Sequence, residues 1–145
     1  MKTNAGFTIS GLAIIAACST SLLVYAQPTK STRDGVYTKA QAERGKPVYD
    51  EHCATCHAPS LGGGEMAPAI ANADFESNWN GLTLGDLFER IRTTMPQDKP
   101  GSLSAQQNSD ILAYMLQVGA FPAGETELSK DAAFLKDIKY DPPKR

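Results

Sequence analysis

The sequence predicts an all-α domain, three main helices joined by long loops. Three observations carry that expectation. Three segments repeat apolar residues at spacings of three and four behind a capping residue. No stretch of strand length alternates apolar with polar residues. The composition, 41% hydrophobic and 21% charged over 145 residues, is that of a soluble globular protein with room for one domain. A formal net charge of −2 is too small to imply nucleic-acid binding, and no basic run supports it. There is no internal repeat and no low-complexity tract.

The N-terminus stands apart. Phe7 to Ala26 carries no charge, and Lys2 is the only charge before it. A basic start, an apolar run and a small-residue end (Val24-Tyr25-Ala26) describe a secretory signal peptide over residues 1–26, cleaved after Ala26. Two other readings stand beside it. Ile15-Ala16-Ala17-Cys18 resembles a bacterial lipobox, with Cys18 as a lipidated N-terminus, and the run is about long enough to remain as an uncleaved anchor. All three predict an exported, periplasmic domain. It would meet a membrane only through lipidation or the anchor.

Residues 27–37 are polar, with Pro28 and Gly35, and read as an extended lead-in segment. Thr38 with Gln41 three residues on matches a capping box, so a helix runs from there to about Glu51. Ala42, Gly45, Val48, Tyr49 and His52 share one face of it, and Pro47 predicts a kink or break. Residues 53–80 include Gly62-Gly63-Gly64 and read as one long irregular loop, a length that in a small domain usually signals function. Thr83 caps a second helix, with Asp86 in its first turn and Leu84, Leu87, Phe88 and Ile91 as its apolar stripe; Pro96 ends it.

Residues 96–103 form a loop. Ser104 and Gln107 make a capping box for a third helix with Ile111, Leu112, Met115, Leu116 and Val118 on its apolar face and Gly119 as its stop. Ser129 to Ile138 predicts a short final helix. Three helices and one long loop make a thin core for a chain of this length. A large apolar object at the centre would complete it.

The chemistry concentrates in residues 53–57, Cys-Ala-Thr-Cys-His. Beyond the leader, Cys53 and Cys56 are the only cysteines, and His57 and His52 are the only two histidines. Zinc needs four ligands in a tetrahedron, and no second Cys or His pair exists to supply them. A thioredoxin-like pair needs a strand leading into the motif, whereas here a helix leads in. Cys-x-x-Cys-His is the attachment signature of a c-type haem. Two thiols with two residues between them span one edge of a porphyrin, and the next residue sets its imidazole on the iron. Such a haem would also supply the missing core.

That leaves the sixth position of the iron. Met95 is the leading candidate, directly after the second helix and before Pro96, because its thioether is a soft ligand. Met66 in the Gly-rich loop is the rival, Met115 reads as core, and an open iron is the third possibility. His52 reads as a solvated or capping histidine.

With these residues in place the chain resembles the class I (mitochondrial-type) cytochromes c over residues 38–120. The elements that carry the resemblance are Gly45-x-x-x-Tyr49-x-x-x-Cys53-x-x-Cys56-His57, then Met66-Ala67-Pro68, Thr94-Met95-Pro96, and Ile111 to Met115. The resemblance implies the cytochrome c fold, with one covalently bound haem c and a one-electron carrier rather than an enzyme. It implies that the first and last core helices cross closely, Gly45 admitting the Tyr114 ring with Tyr49 beside it. It implies that a carbonyl at Pro68 accepts a hydrogen bond from the ligand histidine. Trp79 resembles the indole that contacts a haem propionate, with ordinary packing as the other reading.

The stretch Thr93 to Leu103 resembles small cytochromes found beside, or fused to, quinoprotein alcohol dehydrogenases. That implies redox proteins as partners, with such a dehydrogenase as donor and a terminal oxidase or another cytochrome as acceptor. The alternatives are a haem subunit dedicated to one quinoprotein dehydrogenase and a haem sensor with an open iron site. Residues 121–145 fall outside the general fold and read as a C-terminal extension that wraps the surface or meets a partner.

Overall fold

The computed structural model describes residues 30–144. The leader, with its cleavage site, Cys18 and the anchor reading, lies outside the described residues. Six helices form the body: α1 (Lys39–His52), α2 (Ala54–His57), α3 (Ala73–Trp79), α4 (Leu84–Thr94), α5 (Ala105–Val118) and α6 (Ala132–Leu135). A single 3-10 turn spans Thr32–Asp34, and two short strands, β1 (Lys30–Ser31) and β2 (Ile138–Lys139), pair in parallel. No helix among the described residues is long and apolar enough to cross a membrane.

The first and third main helices pack on one another, and Gly45 sets how closely. A Cβ at position 45 would fall on the main-chain carbonyl of Asp110, so the contact is backbone against α5 backbone. The space that glycine vacates is therefore filled by the Asp110–Ile111 peptide, not by the Tyr114 ring. Tyr114 packs instead on Tyr49, with ring centroids 5.4 Å apart. α1 runs unbroken through Pro47 to His52.

Gln41 differs from the capping-box expectation. Thr38 alone caps α1, accepting from the Gln41 N–H. The Gln41 side chain is fully buried; its Nε2 donates to Ser109 Oγ and the Leu128 carbonyl, and its Oε1 accepts from the Leu128 N–H. A buried amide costs free energy unless its hydrogen-bonding capacity is met, and these partners on α5 and the C-terminal segment meet it. The boxes at Thr83–Asp86 and Ser104–Gln107 both form.

Residues 53–80 are more ordered than the glycines suggest. Asn72 caps α3, accepting from the Phe75 N–H. α5 is buried all round from Asn108 to Met115, whereas Val118, expected on its apolar face, is exposed, and the left-handed residue beyond its end is Ala120 (φ 61°) rather than Gly119.

The stretch after residue 120 is part of the core. Phe121, Leu128, Leu135, Ile138 and Tyr140 are buried. The expected helix over Ser129–Ile138 shrinks to the single turn α6, because residues 138–139 pair with the lead-in segment as β2. Tyr37 donates its hydroxyl to the Phe121 carbonyl, and Thr32 Oγ1 donates to the Asp141 carbonyl. The segments that flank the helices thus hold each other.

Gly45→Ala tests the α1–α5 contact. Alanine favours a helix by about 1 kcal/mol over glycine, but overlap with main chain costs up to about 3 kcal/mol. We expect a net loss of about 2 kcal/mol in urea unfolding of the haem-loaded protein, and a larger loss for Gly45→Val.

Candidate haem site

The last turn of α1 delivers the motif. Cys53 ends the helix, its N–H donating to the Tyr49 carbonyl. The next four residues form the turn α2, in which the Cys56 and His57 N–H groups both donate to the Cys53 carbonyl. Residues three apart on a helical turn share a side, so this turn sets the two thiols together.

The chain then folds back beneath the imidazole. Tyr49 donates its hydroxyl to the Ala58 carbonyl at 2.7 Å, where Ala58 holds φ at 63°. Gly63 N–H donates to the His57 carbonyl, Gly64 N–H to the Ala67 carbonyl, and Ile70 N–H to the carbonyl of fully buried Leu61. Gly63 sits at φ +73°, and a Cβ there would strike the Ala69 nitrogen. This fold-back puts the Pro68 carbonyl 2.8 Å from His57 Nδ1. A carbonyl only accepts, so Nδ1 carries the proton and donates. The neutral ring therefore keeps its lone pair on Nε2.

These residues line one cavity of about 780 Å³. Cys53, Cys56, His57, Pro68, Trp79 and Met95 all lie on its wall, as do Met66 and Met115. Leu87, Ile91 and Ile111 supply the apolar lining from α4 and α5, and Ile70 and Phe75 from the loop and α3. Trp79 ends α3 and packs on Phe75, ring centroids 6.0 Å apart. Met95 follows α4 directly in extended conformation, half-buried against the core. Met66 is 71% exposed and Met115 is buried.

The donor set fits a covalently held haem. Two thiols on one turn, an imidazole with a fixed tautomer and a half-buried thioether share one largely apolar cavity. Burial pushes the Cys53 thiol up to about 11, with Cys56 adding to the effect. A redox pair works through the opposite shift, toward the thiolate. Among the described residues no three of His, Cys, Asp and Glu gather as a metal-binding group.

Several wall residues were not read from the sequence as part of the site. His52 lines the cavity, with Glu51 3.7 Å from its Nε2, where sequence reading placed it in solvent or at a cap. Ile70 and Phe75 were hidden in the supposed irregular loop, although Asn72 before Ala73-Asp74-Phe75 is a recognisable N-cap. Arg90 also lies on the wall. Its signal is its place on α4, three residues after Leu87 and so beside it at the edge of the apolar stripe.

Comparison with known proteins gives one family. The profile described as cytochrome c oxidase, cbb3-type, subunit III matches residues 40–115. The matched segment opens in α1 and closes in α5, so it contains the Cys-x-x-Cys-His motif and Met95. No curated protein sequence matches the chain. Among solved structures, the sulfane dehydrogenase SoxCD from Paracoccus pantotrophus is similar at 17% identity and a TM-score of 0.49, over 72% of this chain and 53% of that one. The chain thus spans about half the length of that solved chain.

Gly63→Val tests the fold-back. The side chain would enter both a left-handed backbone position and the space of Ala69. We expect a loss of about 1–3 kcal/mol in urea unfolding of the haem-loaded protein. We also expect loss of the slowly exchanging His57 Nδ1–H signal in proton NMR.

Proposed function

The chain belongs to the c-type cytochrome family described as cytochrome c oxidase, cbb3-type, subunit III, and from that premise we propose an exported one-electron carrier whose haem c is bound by Cys53 and Cys56 and ligated by His57 and Met95. The observation that carries the ligand assignment is that these four side chains line one apolar cavity, with His57 held by the Pro68 carbonyl. The covalently bound haem supplies a one-electron couple at its iron.

The protein's own residues do the rest. The Nδ1–H···O=C bond orients the imidazole and raises its basicity as a ligand. Met95 offers a soft sulfur donor, which favours the reduced iron. Its half-buried setting supports it over Met66, whose side chain lies mostly in solvent. Leu87, Ile91, Ile111 and Phe75 exclude water, and the helices that carry them hold their places through the cycle, which keeps reorganisation small. Export rests on residues 1–26 alone.

As partners we propose a quinoprotein dehydrogenase as donor and a terminal oxidase or another cytochrome as acceptor. The stretch Thr93–Leu103 supports the donor, and the oxidase-subunit description of the family supports the acceptor. Affinity purification from native cells that returned neither class would sink this partner assignment.

The ligand assignment is tested with Met95→Ala and Met66→Ala. Met95→Ala should lose the sulfur-to-iron charge-transfer band of the oxidised protein, lower the midpoint potential and let the reduced protein bind carbon monoxide. Met66→Ala should change none of these. An unchanged spectrum in Met95→Ala would overturn the assignment, and carbon monoxide binding by the unaltered protein would favour the open-site sensor.

A further inference from the structure

We propose that Arg90 is the cationic partner of a haem propionate. The inference rests on the reading of this cavity as the haem site. Among the residues that line the cavity, the other titratable groups apart from the haem-attaching thiols are His52, His57, Tyr49 and Asp98. Arg90 is the one side chain of the wall that is always cationic. A haem has two carboxylates at one edge, and an apolar cavity accepts them only where they remain solvated or meet donors.

Arg90 is placed for this. It lies on α4 three residues after Leu87, at the exposed edge of the stripe that carries Leu87 and Ile91 to the cavity. It therefore sits where the cavity meets water, as a carboxylate edge requires. The other arginine of α4 is engaged elsewhere. Arg92 donates to Glu89 at 2.6 Å, forming an ion pair away from the cavity lining. Arg90, by contrast, has no ion pair among the described residues, and its guanidinium keeps its planar fork of donors for a bidentate carboxylate contact. Trp79, singled out from the sequence for a propionate, lies on the same cavity, so the two side chains are compatible partners for the two carboxylates.

Removal of a cation beside the haem destabilises the more negative, reduced state, so the midpoint potential falls. The propionate also loses the charge that favours its ionised form, and its ionisation rises by about one pH unit or more. The experiment is equilibrium redox titration between acid and neutral pH of haem-loaded wild type, Arg90→Gln, Arg90→Lys and Arg92→Gln. His52, His57, Tyr49 and Asp98 are the same in all four proteins. Arg92→Gln removes the same charge from the same helix but leaves the cavity wall intact.

We expect Arg90→Gln to lower the potential and move its acid-side pH step upward. Arg90→Lys should recover most of the potential, and Arg92→Gln should stay near wild type. Equal shifts in Arg90→Gln and Arg92→Gln would reduce the effect to net charge and overturn the proposal, as would an Arg90→Gln protein titrating like wild type. Wild type without covalently retained haem on a denaturing gel would instead overturn the reading of the cavity, and the proposal with it.

Discussion

The approach of α1 to α5 at Gly45 decides where everything else can stand. α1 ends by handing the chain straight into Cys53, and α5 lends Ile111 and Met115 to the same cavity. Main chain lies against main chain at Asp110, so the distance between those two walls is set by the thickness of the peptide rather than by adaptable side chains. The contact is pinned on both sides. Tyr49 and Tyr114 pack with tilted rings towards the motif, while Gln41 and Ser109 hold the Leu128 segment at the other end. A protein that must offer the same pocket in two oxidation states benefits from a joint with so little give.

The two proposed iron ligands, His57 and Met95, are positioned differently. His57 is set by a loop, whose geometry depends on a left-handed glycine and on Tyr49 closing the turn at Ala58. Met95 is set by a helix. α4 starts at a complete capping box and is anchored along Leu87, Phe88 and Ile91, so its final residue emerges at a fixed height. The buried face of α4 thus does two things at once. It stabilises the domain and determines where a side chain beyond the helix end can reach.

The helices and the motif were legible because their signals are local. Thr83, Ser104 and the spacings behind them need only neighbours a turn away, and Cys53-x-x-Cys56-His57 is contained in five residues. What stayed hidden depends on partners distant in the chain. Gln41 read as half of a capping box, because nothing nearby reveals that Ser109 and Leu128 take its side chain. Gly45 marked a close contact, but only the packed structure shows that the main chain of Asp110 fills it. The segment beyond residue 120 read as an extension outside the general fold, because its apolar residues, Phe121, Leu128, Leu135, Ile138 and Tyr140, find their places only against elements distant in the chain. The cavity wall was half legible. Its ligand candidates stood out by chemistry, whereas Arg90 and Phe75 belong to it through position.

The parallel pairing of Lys30 with Ile138 sets the two ends of the described fold side by side. Thr83, at the start of α4, bridges to Lys139 there, whereas Met95 lies at the far end of that helix, roughly 18 Å away by helical rise. The two terminal strands of the described fold therefore share one flank, and Met95 lies towards the other. A linker joined directly to either strand would leave from the flank that carries the start of α4, the helix end opposite Met95.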